Sequence, residues 1–341
     1  LVNVMFKLKK PEKLLPAGFV IARQQIVLHD FIAKQLVNEN KSTDKNTIPA
    51  AIELQNGNQK CLVVKSGSFQ IDFSKKTGFI ERYTVGNKEM LADNCALTPN
   101  FWRAPTDNDM GAGLQLKFKV WRNPVITLKN LKSEKVNEIV TVKAEYEMKE
   151  VSAQLLMTYQ INNEGAVKVT QKLMTDKDAK VANFFRFGMQ LPMPVSYEYI
   201  QYYGRGPVEN YIDRKHSQFL GIFNQTVTGQ FYPYIRPQET GTKTDIRWWK
   251  QTDSSGSGLE FVSEAPFSAS ALHYTIESLD DGDSKHQSHS PEVPQANLTN
   301  VCIDKVQMGL GCVNSWGAWP RSEYLLRYKD YEFTFLIKPV K

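Results

Sequence analysis

The residues from Asn100 to Gly113 hold the densest set of groups capable of chemistry in this chain. Phe101, Trp102 and Arg103 lead into Ala-Pro-Thr and then Asp107-Asn108-Asp109, with Gly111 and Gly113 closing the stretch. Phe and Trp favour burial, whereas Asp-Asn-Asp favours turns and polar ligands. Two readings suit that mixture. One is a buried turn whose carboxylates satisfy backbone N–H groups and one Arg; the other is a set of polar groups presented to a ligand. Two more stretches mix charge with aromatics: Glu209, Asn210, Tyr211, Asp213 and Arg214 in one, and Arg236, Glu239, Asp245 and Arg247 beside Trp248 and Trp249 in the other. Buried Arg–carboxylate pairs that fix loop geometry account for both.

Four segments, in order, carry a resemblance. Phe-Trp-Arg-Ala-Pro-Thr-Asp-Asn-Asp at 101–109 resembles the signature of the C-terminal domain of large β-galactosidases in glycoside hydrolase family 2. The stretch Gly206-Pro207-Val208-Glu209-Asn210-Tyr211-Ile212-Asp213-Arg214 is similar to that domain's next motif. Arg236-Pro237-Gln238-Glu239-Thr240-Gly241 with Asp245-Ile246-Arg247-Trp248 is similar to the third. Gln307-Met308-Gly309-Leu310-Gly311 with Asn314-Ser315-Trp316-Gly317 is similar to the last. Together with the text between them, these segments cover residues 60 to 341.

The resemblance implies an all-β, galactose-mutarotase-like supersandwich. It also implies part of a retaining enzyme that removes terminal β-D-galactosyl residues. Such enzymes need two carboxyl groups about 5 to 5.5 Å apart, and in this family both are glutamates on a separate (β/α)8 barrel. No strand–helix alternation in this chain can build that barrel. The expectation is therefore no catalytic residue here, a chain inactive alone, and a partner in the barrel domain of the same polypeptide, homo-oligomeric at full length. Mg²⁺ and Na⁺ belong, by the resemblance, to the full-length enzyme, and no metal ligand is expected in this chain.

The same resemblance implies which residues would line the pocket. Trp316 would offer its indole face to the C–H face of a sugar ring, with Gly309, Gly311 and Gly317 allowing an unusual loop path; a core Trp is the other reading. Trp319 is a weaker version of the same idea. Asn314, Asp107 and Asn108 would contact substrate or order the loop, and Gly111 would be the hinge of a mobile loop. The chain departs from the family where Gly311-Cys312-Val313-Asn314 replaces a Gly-Gly-Asp-Asp/Asn run, which removes an acidic acceptor beside the platform.

Composition excludes other classes. In 341 residues, apolar types make up 41% and charged types 23%, so disorder is not the default. The net charge of +6 is spread without a block of like charges, which argues for a solvated basic surface and against nucleic acid. Cys61, Cys95, Cys302 and Cys312 lack zinc spacing and read as small buried residues rather than a disulfide pair. His286 and His289 fall in a polar loop. No apolar run is long enough to span a membrane, and compartment, bacterial cytoplasm or periplasm, is left open.

The elements that must position these groups are strands. Val2–Leu8, Val20–Leu28, Leu62–Val64, Phe69–Phe73, Ile139–Tyr146, Leu155–Ile161, Ala166–Leu173 and Tyr331–Ile337 are β-branched or aromatic runs of strand length. Lys76-Thr77-Gly78 and Val85-Gly86-Asn87-Lys88 are turns, and Asn162-Asn163-Glu164-Gly165 predicts a hairpin. Residues 1–35 are too few to bury a core; they resemble the last strands of the immunoglobulin-like domain that precedes the C-terminal domain in these enzymes. Residues 36–60 read as a linker and 61–341 as the supersandwich domain. The Met-less start, within a strand, reads as a piece cut from a longer polypeptide. Two alternatives stand beside the β-galactosidase reading. One is a free-standing, non-catalytic carbohydrate-binding module of mutarotase-like fold. The other is an aldose mutarotase, which would need a His and a Glu poised together.

Overall fold

The structure, a computed structural model, describes residues 1–32, 36, 50–56, 59–286, 288–311, 314 and 317–340. It divides into two compact units, Leu1–Gln35 and Leu36–Lys341. The first holds one antiparallel pair, Val2–Lys7 against Val20–Ile26, with Val2 opposite Ile26. Apart from Leu8 and Gln25, every described side chain in it is exposed, Phe6, Ile21 and Leu28 among them. Two strands have no second layer to cover either face.

The second unit is built from two sheets. In the smaller, Glu53–Gln55, Cys61–Ser66, Phe69–Ser74, Ile80–Val85 and Lys88–Glu89 follow one another as antiparallel neighbours. Their inward residues Leu62, Val64, Ile71 and Phe73 are buried at alternate positions, the pattern of a sheet with one face on a core. Glu53–Gln55 and the buried Ile52 lie inside the segment read as a linker; the alternation of Ile52 and Leu54 is what draws that piece onto the sheet. Residues 37–49 of that segment lie outside the described residues.

The larger sheet branches. From one edge it runs through Phe219–Thr226, Tyr199–Gly206, Lys243–Thr252, Gly258–Leu272, Tyr331–Val340, Val167–Thr175, Ala153–Asn162, Ile139–Met148 and Thr127–Val136. Gly258–Leu272 causes the branch. Its first half pairs with Tyr331–Val340, and its second half pairs with Leu298–Gln307, which carries Arg186–Pro194 and then Thr98–Asn100. The expected hairpin at Asn162–Gly165 joins Ala153–Asn162 to Val167–Thr175; Asn162 Oδ1 accepts from the N–H groups of Glu164 and Ala166, and Gly165 turns at φ +82°.

One continuous core of Val, Ile, Leu, Met and aromatic side chains lies within this unit. Fully buried aromatics such as Trp121, Tyr159 and Trp249 contribute the largest apolar areas. Among the described residues no helix is long and apolar enough to cross a membrane. Cys61, Cys95 and Cys302 form no disulfide with one another, with Cys302 buried and the other two half-buried; Cys312 lies outside the described residues.

Candidate functional site

The stretch Asp107–Gly111, expected as a loop, is a short helix, α1. Its cause was present in the sequence. Thr106 and Asp109 form a capping box: the Thr106 hydroxyl accepts from Asp109 N–H at 3.2 Å, and the Asp109 carboxylate accepts from Thr106 N–H at 2.9 Å. Ala112 ends the helix and Gly113, at φ +67°, turns the chain into a second one, Leu114–Lys117. The left-handed position is thus Gly113. Gly111 is the exposed last residue of α1.

Beneath α1 sits a buried ion pair. Arg103 and Asp109 are 0% and 1% exposed, and the guanidinium meets both carboxylate oxygens, Nε to Oδ2 at 3.0 Å and Nη2 to Oδ1 at 2.7 Å. The guanidinium also lies 4.7 Å from the Phe185 ring centroid. Its remaining N–H groups donate to Met308 O at 2.6 Å and Gly309 O at 3.0 Å. A planar fork with five donors is suited to bridging a carboxylate and two carbonyls at once. The first of the two readings of this stretch therefore describes Asp109: it satisfies a backbone N–H and one Arg.

The segment that Arg103 holds is the start of the last motif. Asn108 Nδ2 donates to Leu310 O at 3.1 Å, and Gly311 N–H donates to Asp213 Oδ2 at 3.1 Å. A Cβ on Gly309 would stand 2.5 Å from the Asp213 carboxylate, so only glycine fits there. Gly317, at φ +104°, approaches Gly111 so closely that a Cβ would be 3.2 Å from its carbonyl oxygen. The last motif therefore meets both α1, through Asn108, and the second motif, through Asp213. Asn314 is exposed beside this segment in the chain. Trp316 lies outside the described residues, as does the Cys312-Val313 departure. Trp319 is 37% exposed, packed edge-on against Phe118 at 5.7 Å, with the Lys117 ammonium 5.2 Å from its ring centroid.

Asp107 points to the other side of α1. Its carboxylate is half-exposed and meets Arg236 Nε at 3.1 Å, Gln238 Nε2 at 3.0 Å and Lys285 Nζ at 3.2 Å. Burial alone would raise its pKa, but the hydrogen bonds and charges of Arg236, Gln238 and Lys285 outweigh that and hold it below the ordinary carboxylate range. Arg236 in turn pairs with Asp281 at 2.7 Å and donates to Pro105 O. Gln238 and Arg236 come from the third motif. Lys285 comes from the polar 280–290 run, where nothing in the sequence marked it.

The other motif charges act within the scaffold. Arg186 lies between Glu239 at 3.0 Å and Asp304 at 3.3 Å, all buried. Glu209 accepts from Arg214, Thr240, Gly241 N–H and the Tyr234 hydroxyl. Burial pushes Lys243 down to about 7; its ammonium donates to Gln230 and to the Gly241 carbonyl. The structure also brings together a His and a Glu: His273 Nε2 is 2.6 Å from Glu198, and Nδ1 is 3.0 Å from Leu298 O. Glu198 also accepts from Thr228 N–H, so this pair fastens loops to one another. Among the described residues no group of three His, Cys, Asp or Glu could hold a metal ion.

The chain as a whole is similar to known proteins. The profile described as "Beta galactosidase small chain" matches residues 65–337. The chain belongs to that family. As a β-galactosidase small chain it is 30% identical over 342 residues to a β-galactosidase of Priestia megaterium, covering 99% of this chain and 31% of the relative. It is 34% identical over 284 residues to one of Lactobacillus delbrueckii subsp. bulgaricus, covering 82% of this chain and 27% of that relative. The small chain thus spans about a third of the length of these curated relatives. A galactose mutarotase related enzyme from Lactobacillus acidophilus overlaps 82% of it, at TM-score 0.49 and 9% identity, over 97% of that structure.

Proposed function

We propose that this chain is the C-terminal part of a retaining β-galactosidase and that it completes the substrate pocket without supplying the catalytic carboxylates. One observation carries the reading: α1 is locked from below by Arg103–Asp109 and from the side by Asn108–Leu310, leaving Asp107 half-exposed. That arrangement suits a wall whose polar groups are held in place before a ligand arrives. Asp107, Asn108 and Asn314 order or contact the galactoside, Trp316 stacks on it, and Gly111, the last residue of the locked helix, is the hinge of the segment that follows it.

The catalytic glutamates, with Mg²⁺ and Na⁺, belong to the barrel of the remaining two-thirds of the polypeptide. Residues 1–35 are the last strands of an immunoglobulin-like sandwich. Their exposed Phe6, Ile21 and Leu28 are side chains that further strands of that sandwich would cover. The full-length protein is a homo-oligomer.

The test is hydrolysis of a chromogenic β-galactoside by this chain, alone and mixed with the upstream portion that carries the barrel. Activity in the mixture only, reduced by Trp316→Ala, supports the reading. Activity of the chain alone overturns it.

A further inference from the structure

We propose that the larger sheet carries a separate binding site for a neutral saccharide, in a cleft floored by Thr98 and Gln190. The two residues are directly opposite one another in antiparallel strands, so both side chains rise from the same face. The cleft above them encloses about 470 Å3, within the range of ~300–1,000 Å3 seen for small-molecule sites. Asn123 and Glu277 stand exposed at its rim.

What distinguishes this cleft is which of its polar groups are already used. Arg122 is committed: Nε lies 3.1 Å from Asp280, Nη1 is 3.0 Å from Asp283, and Nη2 donates to Gly282 O at 2.9 Å. Trp102 is held as a rigid wall, its indole N–H donating to Asp280 at 2.8 Å and its face covered by the Arg122 guanidinium at 5.0 Å. By contrast, the Gln190 amide, the Thr98 hydroxyl, the Asn123 amide and the Glu277 carboxylate make no side-chain hydrogen bond among the described residues. Two amides, a hydroxyl and a carboxylate supply donors and acceptors to alternating hydroxyls. Ile126, Ile276 and the edge of Trp102 supply apolar wall for the C–H faces between them.

Charge narrows the class. Asp280 neutralises Arg122, which leaves Glu277 as the uncompensated charge lining the cleft. A sugar acid or sugar phosphate is repelled, and a neutral hexopyranoside is accepted. The site is distinct from the surface around α1, although one loop serves both. Asp280 and Gly282 wall the cleft, while Asp281 between them pairs with Arg236, the partner of Asp107.

The experiment titrates methyl β-D-galactoside, methyl β-D-glucoside and D-galacturonate into the 341-residue chain, followed by calorimetry and by the fluorescence of Trp102 and Trp121, which line the cleft. At least one neutral glycoside is expected to bind saturably, and to do so equally in Trp316→Ala. Gln190→Leu is expected to weaken that binding tenfold or more. Glu277→Gln, an exposed position whose change leaves the fold intact, is expected to admit galacturonate that the parent rejects. No saturable binding of either neutral glycoside to Trp316→Ala overturns the proposal. So does unchanged affinity in Gln190→Leu, or galacturonate binding that ignores Glu277→Gln.

Discussion

Replacing Asp109 by Asn tests the claim that a buried ion pair locks α1. The substitution keeps the shape of the side chain and removes its charge, so Arg103, 0% exposed, keeps a guanidinium whose carboxylate partner is gone. Breaking a buried pair from one side costs about 3–5 kcal/mol, because the surviving charge stays desolvated. The Met308 and Gly309 carbonyls still accept from Arg103 and hold the cost near the lower figure. For a folding unit of about 300 residues, with an unfolding entropy near ~2.1 cal/mol/K per residue, such a loss lowers Tm by about 5–8 °C.

The double variant Arg103→Met/Asp109→Asn removes the stranded charge and is expected to recover part of that loss, a non-additive result. Calorimetric unfolding of the chain and its variants reads both numbers. Hydrogen exchange adds a local measure, since the amides of 107–111 and of Leu310–Gly311 should exchange faster together in Asp109→Asn. A Tm within 2 °C of the parent, or faster exchange confined to 107–111, would refute the idea that Arg103 couples α1 to the last motif.

Two further outcomes follow from the same geometry. Gly309→Ala places a methyl 2.5 Å from Asp213 Oδ2 and 3.0 Å from Tyr324 Cβ, an overpacking that costs about 1–3 kcal/mol. Urea unfolding should show that loss, and Asp213→Ala in the same chain should relieve much of it; strictly additive losses would place the clash elsewhere. Burial pushes Asp304 up to about 7 against the pull of Arg186, and the Glu239 carboxylate adds to the rise. An unfolded Asp titrates near ~3.9, so between about pH 4 and 7 the folded protein holds the extra proton and stability falls as pH rises. Urea midpoints across that window should fall in the parent and flatten in Asp304→Asn, and parallel profiles would contradict the assignment.

The sequence alone marked strands at some of the runs with one apolar face and passed over others, such as Tyr199–Gly206, whose buried residues also alternate. Ile139–Met148, Ala153–Asn162 and Val167–Thr175 alternate buried and less buried residues along most of their length, and each carries a run recognisable beforehand. Leu298–Gln307 carries no such signal. Asn300, Cys302 and Asp304 are as buried as Val301 and Ile303 on the opposite face, because their own face is covered too, Asp304 lying against Arg186 and Cys302 accepting from the Asn100 amide. Period-2 alternation disappears once both faces are covered and one of them is polar. Thr127–Val136 escaped for the opposite reason: it is a Lys-rich edge strand, kept polar as exposed edges are.

At the site, residue types and local spacing allowed a buried turn held by backbone N–H groups and an Arg, and Asp109 fits it, since capping and short-range ion pairing act over a few residues. What else Arg103 grips depended on contacts that no local spacing encodes. Arg103 reaches Met308 and Gly309, Asn108 reaches Leu310, and Asp107 reaches Arg236 and Lys285, through strands that bring distant turns to one end of the sheet. Chain chemistry chose the groups; sheet closure chose their partners, because only packing of the whole unit repays the loop entropy of joining segments so far apart.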